Sequence, residues 1–268
     1  MIRRFIPVSP GLLPKDDPRY LRWLKSLKKR PPPWNKGKTK FDSLSVKKIS
    51  DTFKKNKIDN FRNWRNIAKK SGLIPDSDKP LSKSGKLAFL IGLVLGDGNL
   101  YKFPRTEGLR ITLGTDKPLL ISYSAKILRD VIRKNATIIK RSKNNCVNVT
   151  LYQKNLSRRL GIPSGARKNL SIRLPPWIWN KKIFLISALK GLFEAEGSFS
   201  IHEKTYTYNL SFSNSNMSLL NEVEAALILL GFHPERKPKA VRLRKKKEAL
   251  EFEQVINFRK YPAIIRPS

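Results

Sequence analysis

Two carboxylates carry the first chemical signal in this chain. Asp97 closes the segment LAFLIGLVLGDG (87–98), and Glu196 closes FLISALKGLFEAEG (184–197); a glycine follows each acid. Both segments read as helices, so each acid takes the last helical position. There the negative end of the helix dipole disfavours a carboxylate by about 0.3–1 kcal/mol. If the two helices pack side by side in parallel, both charges converge on one spot, which is repulsive unless a cation fills it. A hard divalent ion such as Mg2+, or another such as Mn2+, takes oxygen ligands and completes its shell with water and phosphate. Two carboxylates holding such an ion beside a surface that binds a polyanion are the ingredients of metal-assisted phosphodiester hydrolysis. The matched positions Leu95 and Glu194 do not agree with each other and read as non-catalytic.

The elements that must position these acids have their own signature. Gly92 and Gly96 lie four apart in one segment, and Gly191 and Ala195 in the other. Small residues at that spacing share one helical face and let two backbones approach closely. Glycine inside a helix costs about 1 kcal/mol against alanine, so these glycines need a packing reason. Gly98 and Gly197, directly after the acids, are expected as left-handed C-terminal caps.

Around each helix the chain repeats itself: helix, two alternating strands, helix, two more strands, final helix. One copy starts near Lys86 and the next near Lys182, a spacing too long for a solenoid unit. It suits a duplicated domain folded about a pseudo-two-fold axis, the symmetry of a DNA duplex. In the strands, Leu109, Ile111 and Leu113 alternate with Arg110 and Thr112, and Val147, Val149 and Leu151 with Asn148, Thr150 and Tyr152. Tyr208, Leu210 and Phe212 alternate with Asn209 and Ser211, and Val241 and Leu243 with Arg242 and Arg244. In 198–203, Phe199 and Ile201 should face inward, Ser200 and His202 outward. The apolar faces belong under the helices. The polar faces can hydrogen-bond base edges in a major groove. For His202, solvation or a phosphate contact is preferred to general-base work.

Composition points the same way. Against 20 Asp and Glu stand 56 Lys and Arg, a net charge of +36 over 268 residues. Residues 1–85 carry 23 basic and 7 acidic side chains and the remainder 33 and 13, so both parts are candidates for phosphate contact. Such a surplus calls for a polyanionic partner, nucleic acid first. One cysteine, Cys146, excludes an internal disulfide, and with only His202 and His233 beside it a structural zinc site is nearly excluded. The longest apolar run, Leu87 to Gly96, is far short of the roughly 18 residues that span a bilayer. The N-terminal MIRRFIPVSPG has too short an apolar stretch for a secretory signal. The expectation is a soluble intracellular protein, cytoplasmic or at the nucleoid, with an organelle as the other address.

Upstream of the repeats, Pro18–Lys29 reads as a short helix and PPPWNKGKT (31–39) as a break. Two helical segments follow over Ser45–Lys70, with Ile49, Phe53, Ile58, Phe61, Trp64 and Ile67 as their apolar face. Trp34 and Trp64 either anchor a small core, the preferred reading, or offer stacking platforms for bases. Ile74–Ser84 reads as a linker.

LIGLVLGDG (90–98) and LKGLFEAEG (189–197) resemble the two signature motifs of the LAGLIDADG homing endonucleases, and LGIPSGARKNLSIRLPPWI (160–178) resembles the inter-repeat connection of their single-chain members. The resemblance covers residues 84–260. It implies an α+β fold of two pseudo-symmetric αββαββα repeats with saddle-shaped antiparallel sheets, preceded here by a small, mostly helical segment. Residues 1–84 would be a basic extension, possibly an accessory DNA-binding segment since PPPWNKGKT resembles nuclease-associated DNA-binding modules; 85–180 the first repeat and 181–268 the second. It further implies a monomer that cuts both strands of a long double-stranded DNA site with Mg2+, the metal-binding acids mapping onto Asp97 and Glu196. The family also places a basic residue near each metal site, a context matched by Lys154 and Lys247, with Lys246 competing and phosphate contact or plain solvation the alternatives. A maturase-like protein binding intron RNA without cleaving is the rival function, and the intact acids argue against it.

Overall fold

The computed structural model describes residues 15–71, 73, 74, 76–141 and 144–261; the N-terminal stretch read for a signal lies outside them. The chain divides into two units, Met1–Ile67 and Ala68–Ser268.

In the first unit, α1 (Pro18–Lys29) opens on an Asp17 cap that accepts from the Arg19 amide at 2.8 Å, and Pro18 sits where its missing N–H costs nothing. Helices α2 (Leu44–Lys55) and α3 (Arg62–Lys70) follow, the latter running across the unit boundary. The expected apolar face stays in solvent: Ile49, Phe53, Ile58, Phe61, Trp64 and Ile67 are all exposed. Neither tryptophan anchors a core, since Trp34 is 59% and Trp64 57% exposed. The helices are short and end in lysines, and neither α1 nor α2 buries a single residue. The expectation of a small core here is overturned.

The segment expected as a linker is instead fastened to the second unit. Asp78 pairs with Lys69 at 2.6 Å and accepts from Asn155 at 3.0 Å, while Arg159 donates to the Lys79 carbonyl at 2.8 Å.

The second unit holds the duplication. The first copy runs α4 (Gly85–Asp97), β1 (Gly98–Lys102), β2 (Glu107–Gly114), α5 (Pro118–Ile132), β3 (Thr137–Lys140), β4 (Cys146–Gln153) and α6 (Leu156–Leu160). After the short α7 (Pro176–Trp179), the second runs α8 (Lys182–Glu196), β5 (Gly197–His202), β6 (Thr207–Ser213), α9 (Met217–Leu229), β7 (Glu235–Lys237), β8 (Ala240–Leu243) and α10 (Lys246–Ile256). Each copy folds one antiparallel four-stranded sheet, in the orders β1-β2-β4-β3 and β5-β6-β8-β7. The fold is α+β with two matching αββαββα repeats.

The core sits between the sheets and the two repeat-opening helices. In α4 every residue from Leu87 to Leu95 is buried, as an apolar helix must be when partners surround it. Leu109, Ile111, Val149, Leu210, Phe212 and Val241 meet this layer from the strands. Each such side chain contributes about 1.5–3 kcal/mol when removed from water. Ile201 departs from the expected alternation: it is 49% exposed, because the end of β5 runs past the layer that would cover it. Among the described residues no helix is long and apolar enough to cross a membrane.

Candidate active site

Helices α4 and α8 run parallel in backbone contact. Gly85 lies against Ser187, Gly92 against Ala188 and Leu192, and Gly96 against Ala195. A Cβ on Gly92 would run into the Ala188 carbonyl oxygen and stand 2.9 Å from the Leu192 nitrogen. One on Gly191 would strike the Phe89 carbonyl oxygen and come within 2.7 Å of the Leu93 nitrogen. The small residues are there for interhelical approach.

Asp97 and Glu196 are the last residues of these helices, and the chain turns straight from each into a strand. Gly98 (φ −90°) and Gly197 (φ −86°) are therefore extended, not left-handed, which corrects the capping expectation. Glycine is needed at both for space: a Cβ on Gly98 would stand 2.6 Å from the Val94 Cα, and one on Gly197 2.8 Å from the Phe193 Cα.

The acids sit where ionisation is disfavoured. Burial, then the neighbouring Glu196 charge, pushes the Asp97 carboxyl up to about 7, with Lys117 opposing. Burial raises Glu196 as well, again opposed by Lys117. Lys117 caps α5 from the turn after β2 and was not singled out in the sequence. Arg167 was missed too. From the inter-repeat connection it donates to the carbonyls of Val94 (2.9 Å) and Gly98, covering the negative end of α4. Nothing in the spacing of either residue marks it, because both arrive through tertiary approach. A cleft of 410 Å3 opens beside Glu196, with Arg167, Lys168 and Asn216 on its walls.

Glu194 does structural work. Fully buried, it accepts from the Arg259 amide at 2.6 Å and from the Tyr261 hydroxyl, tying the chain after α10 to α8.

Lys154 and Lys247, expected as the basic residues near the acids, are both exposed. Lys154 is an exposed residue after β4, beside Phe103, Arg105 and Asn155. Lys247 is in the first turn of α10 rather than at a strand end, and Lys246 lies over the Tyr208 ring at 5.1 Å. Neither Lys154 nor Lys247 is among the charges that bear on Asp97 or Glu196.

The polar sheet faces divide by depth. Arg110, Thr112, Asn148, Asn209 and Arg242 are half-buried; Tyr152, Ser200, His202 and Arg244 are exposed. Thr112 bonds Asn148 at 3.0 Å, His202 meets Thr205 at 2.9 Å, and Arg242 pairs with Glu235 at 3.0 Å. Thr150 and Ser211, expected at the surface, are only 5% and 6% exposed. Their strands are internal, so Arg110 and Thr137 flank Thr150, and Ser198 and Arg242 flank Ser211. Asn209 Oδ1 and Arg242 Nε are buried without a hydrogen-bond partner.

Residues 184–262 match the family described as LAGLIDADG-like domain. That match runs from α8 to the chain after α10, the second of the two repeats. Solved structures similar to it include mesophilic variants of the homing endonuclease I-DmoI (20% identity, TM-score 0.47, covering 64% of this chain and 94% of that one). Another is the homing endonuclease I-WcaI bound to its DNA recognition sequence (17% identity, TM-score 0.48, 67% and 83%). A third is the N-terminal LAGLIDADG domain of DUF199/WhiA (16% identity, TM-score 0.44, 67% and 87%). No curated protein sequence matches the chain.

Proposed function

We propose that the chain is a divalent-metal-dependent, site-specific DNA endonuclease that breaks both strands of a long duplex site, of the homing type found in mobile introns or free-standing genes. The observation that carries this reading is the pair of carboxylates at the adjoining ends of α4 and α8, Asp97 half-buried and Glu196 more open, both raised by burial and Asp97 also by the charge of Glu196. Two carboxylates facing a phosphate are a hard-oxygen donor set, which suits Mg2+ or Mn2+. Among the described residues no group of three or more His, Cys, Asp or Glu gathers, so the pair itself would be the protein's acidic share of such a site. Bound there, the ion would supply Lewis acidity at a phosphodiester. Asp97 and Glu196 would hold it, and Lys117 would draw the scissile phosphate toward them.

The sheet faces would read the duplex through Arg110, Thr112, Asn148, Asn209 and Arg242, with Tyr152, Ser200, His202 and Arg244 around them. The unpartnered Asn209 oxygen and Arg242 nitrogen support that role, because buried polar groups without partners are costly. The exposed Trp34 and Trp64, set among lysines, support an accessory DNA contact by the first unit. The protein would work as a monomer with internal pseudo-two-fold symmetry, inside the cell or organelle that holds its target.

The test selects a cleavable site from a random duplex library with Mg2+, then compares wild type with Asp97→Asn and Glu196→Gln. Each variant is expected to lose double-strand cutting while retaining binding in Ca2+. Full cutting by the double variant would exclude these residues from catalysis. A wild type that cuts no site yet binds intron RNA would point to the maturase-like function.

A further inference from the structure

The two repeats treat the approach to the carboxylates differently. In the first, the residue capping the helix after the second strand is Lys117, whose charge bears on both acids. In the second, the matching cap of α9 is Asn216, which is neutral and already engaged. Its Nδ2 donates to the carbonyls of Arg167 (2.7 Å) and Leu170 (2.9 Å), so it fixes the inter-repeat connection and brings no charge to the cleft.

That connection is built rather than slack. Gly165 turns it at φ +88°, a conformation other residues adopt with strain, and its amide donates to the Leu100 carbonyl at 2.7 Å. The Arg167 side chain reaches the end of α4, and the Ile172 amide donates to Ser218 at 2.7 Å. Fastened to both repeats, the loop sets Arg167 and Lys168 on the cleft beside Glu196. Arg167 Nη1 is buried and has no partner.

We propose that the loop 164–169 is a phosphate clamp for the second half of the site: Lys168 contacts a DNA backbone phosphate beside Glu196, and Arg167 is the positioning residue that fixes the loop to the end of α4. It supplies the cation that Asn216 does not. This rests on the proposed endonuclease reading for its substrate, and the chemistry it recognises is a phosphodiester.

The test uses the full chain with Lys168→Ala, Arg167→Lys and Arg167→Met. A random-sequence duplex measures binding against salt, and the selected site, labelled on each strand separately, measures cutting. Lys168→Ala is expected to keep the wild-type melting temperature and to lower the slope of log K against log salt by about 0.9, one phosphate contact. It should also slow one strand far more than the other, so that nicked duplex accumulates. Arg167→Met should slow that same strand by about 100-fold, on the scale of a contact misplaced by about 1 Å, with partial rescue by Arg167→Lys. An unchanged slope with both strands slowed equally, or not at all, would overturn the clamp while leaving the endonuclease reading intact. If wild type cuts nothing, that reading fails, and the salt slope alone decides for or against the clamp.

Discussion

Replacing Asp97 with Asn should stabilise the protein, and by an amount that depends on pH. The Asp97 carboxyl is raised from 3.8 to about 7, first by burial and then by Glu196. A carboxyl raised on folding leaves stability whole below the unfolded value and erodes it as pH climbs through the folded one. About three units at 1.36 kcal/mol each set a ceiling of about 4 kcal/mol, reached above pH 7. Asn keeps the shape and cannot ionise, so the variant escapes this loss. Its advantage over wild type should widen by about 2 kcal/mol between pH 5 and pH 7 and then flatten. Urea unfolding of both proteins at pH 5, 6, 7 and 8, with chelator present, measures it directly. In a Glu196→Gln background the widening should shrink, because the second cause of the shift is gone. An advantage that stays constant with pH, or narrows as pH rises, would refute the argument that Asp97 is held against its own ionisation.

Gly92→Ala and Gly191→Ala should each destabilise the second unit by about 3 kcal/mol, since the new methyl meets backbone that cannot move aside; chemical denaturation measures this. Glu194→Gln should cost about 1–3 kcal/mol and raise amide exchange at Arg259, because the Arg259 amide and Tyr261 hydroxyl lose a charged acceptor. Trp34→Ala and Trp64→Ala should leave stability within about 0.5 kcal/mol. If they stack on bases, each should weaken DNA binding by about 1–3 kcal/mol, read by fluorescence titration.

What could be read from the residues was whatever local spacing records. The helix at Pro18–Lys29, the two repeat-opening helices and the alternation in β2, β4, β6 and β8 all follow from apolar period and turn residues. The convergence of Asp97 and Glu196 follows from small residues four apart. Lys117 and Arg167 were invisible because a turn and a connection carry them to the acids from other parts of the chain. Thr150 and Ser211 share the period of Arg110 and Asn209, and only the register of the neighbouring strands places a partner on both sides of them. Gly98 and Gly197 were recognised as necessary for the wrong reason: sequence records a missing side chain, and here the missing thing was volume, not a dihedral angle.

The backbone contact between α4 and α8 has a consequence for how such a protein can diverge. Its geometry is set by Gly92, Gly96, Gly191 and Ala195, none of which projects into either sheet's polar face. Mutational drift in the sheets is thereby uncoupled from the angle between the halves. One half can keep the aromatic group of Tyr101 and Tyr152 on its strands with Phe103 beside them, while the other carries Ser200, Asn209 and Arg242. A chimera that exchanges one whole repeat for a foreign one should assemble whenever those four small residues are matched, and should inherit each parent's surface unaltered. Inheritance of the two surfaces is modular because the seam between them is kept by small residues and backbone rather than by the side chains of either surface.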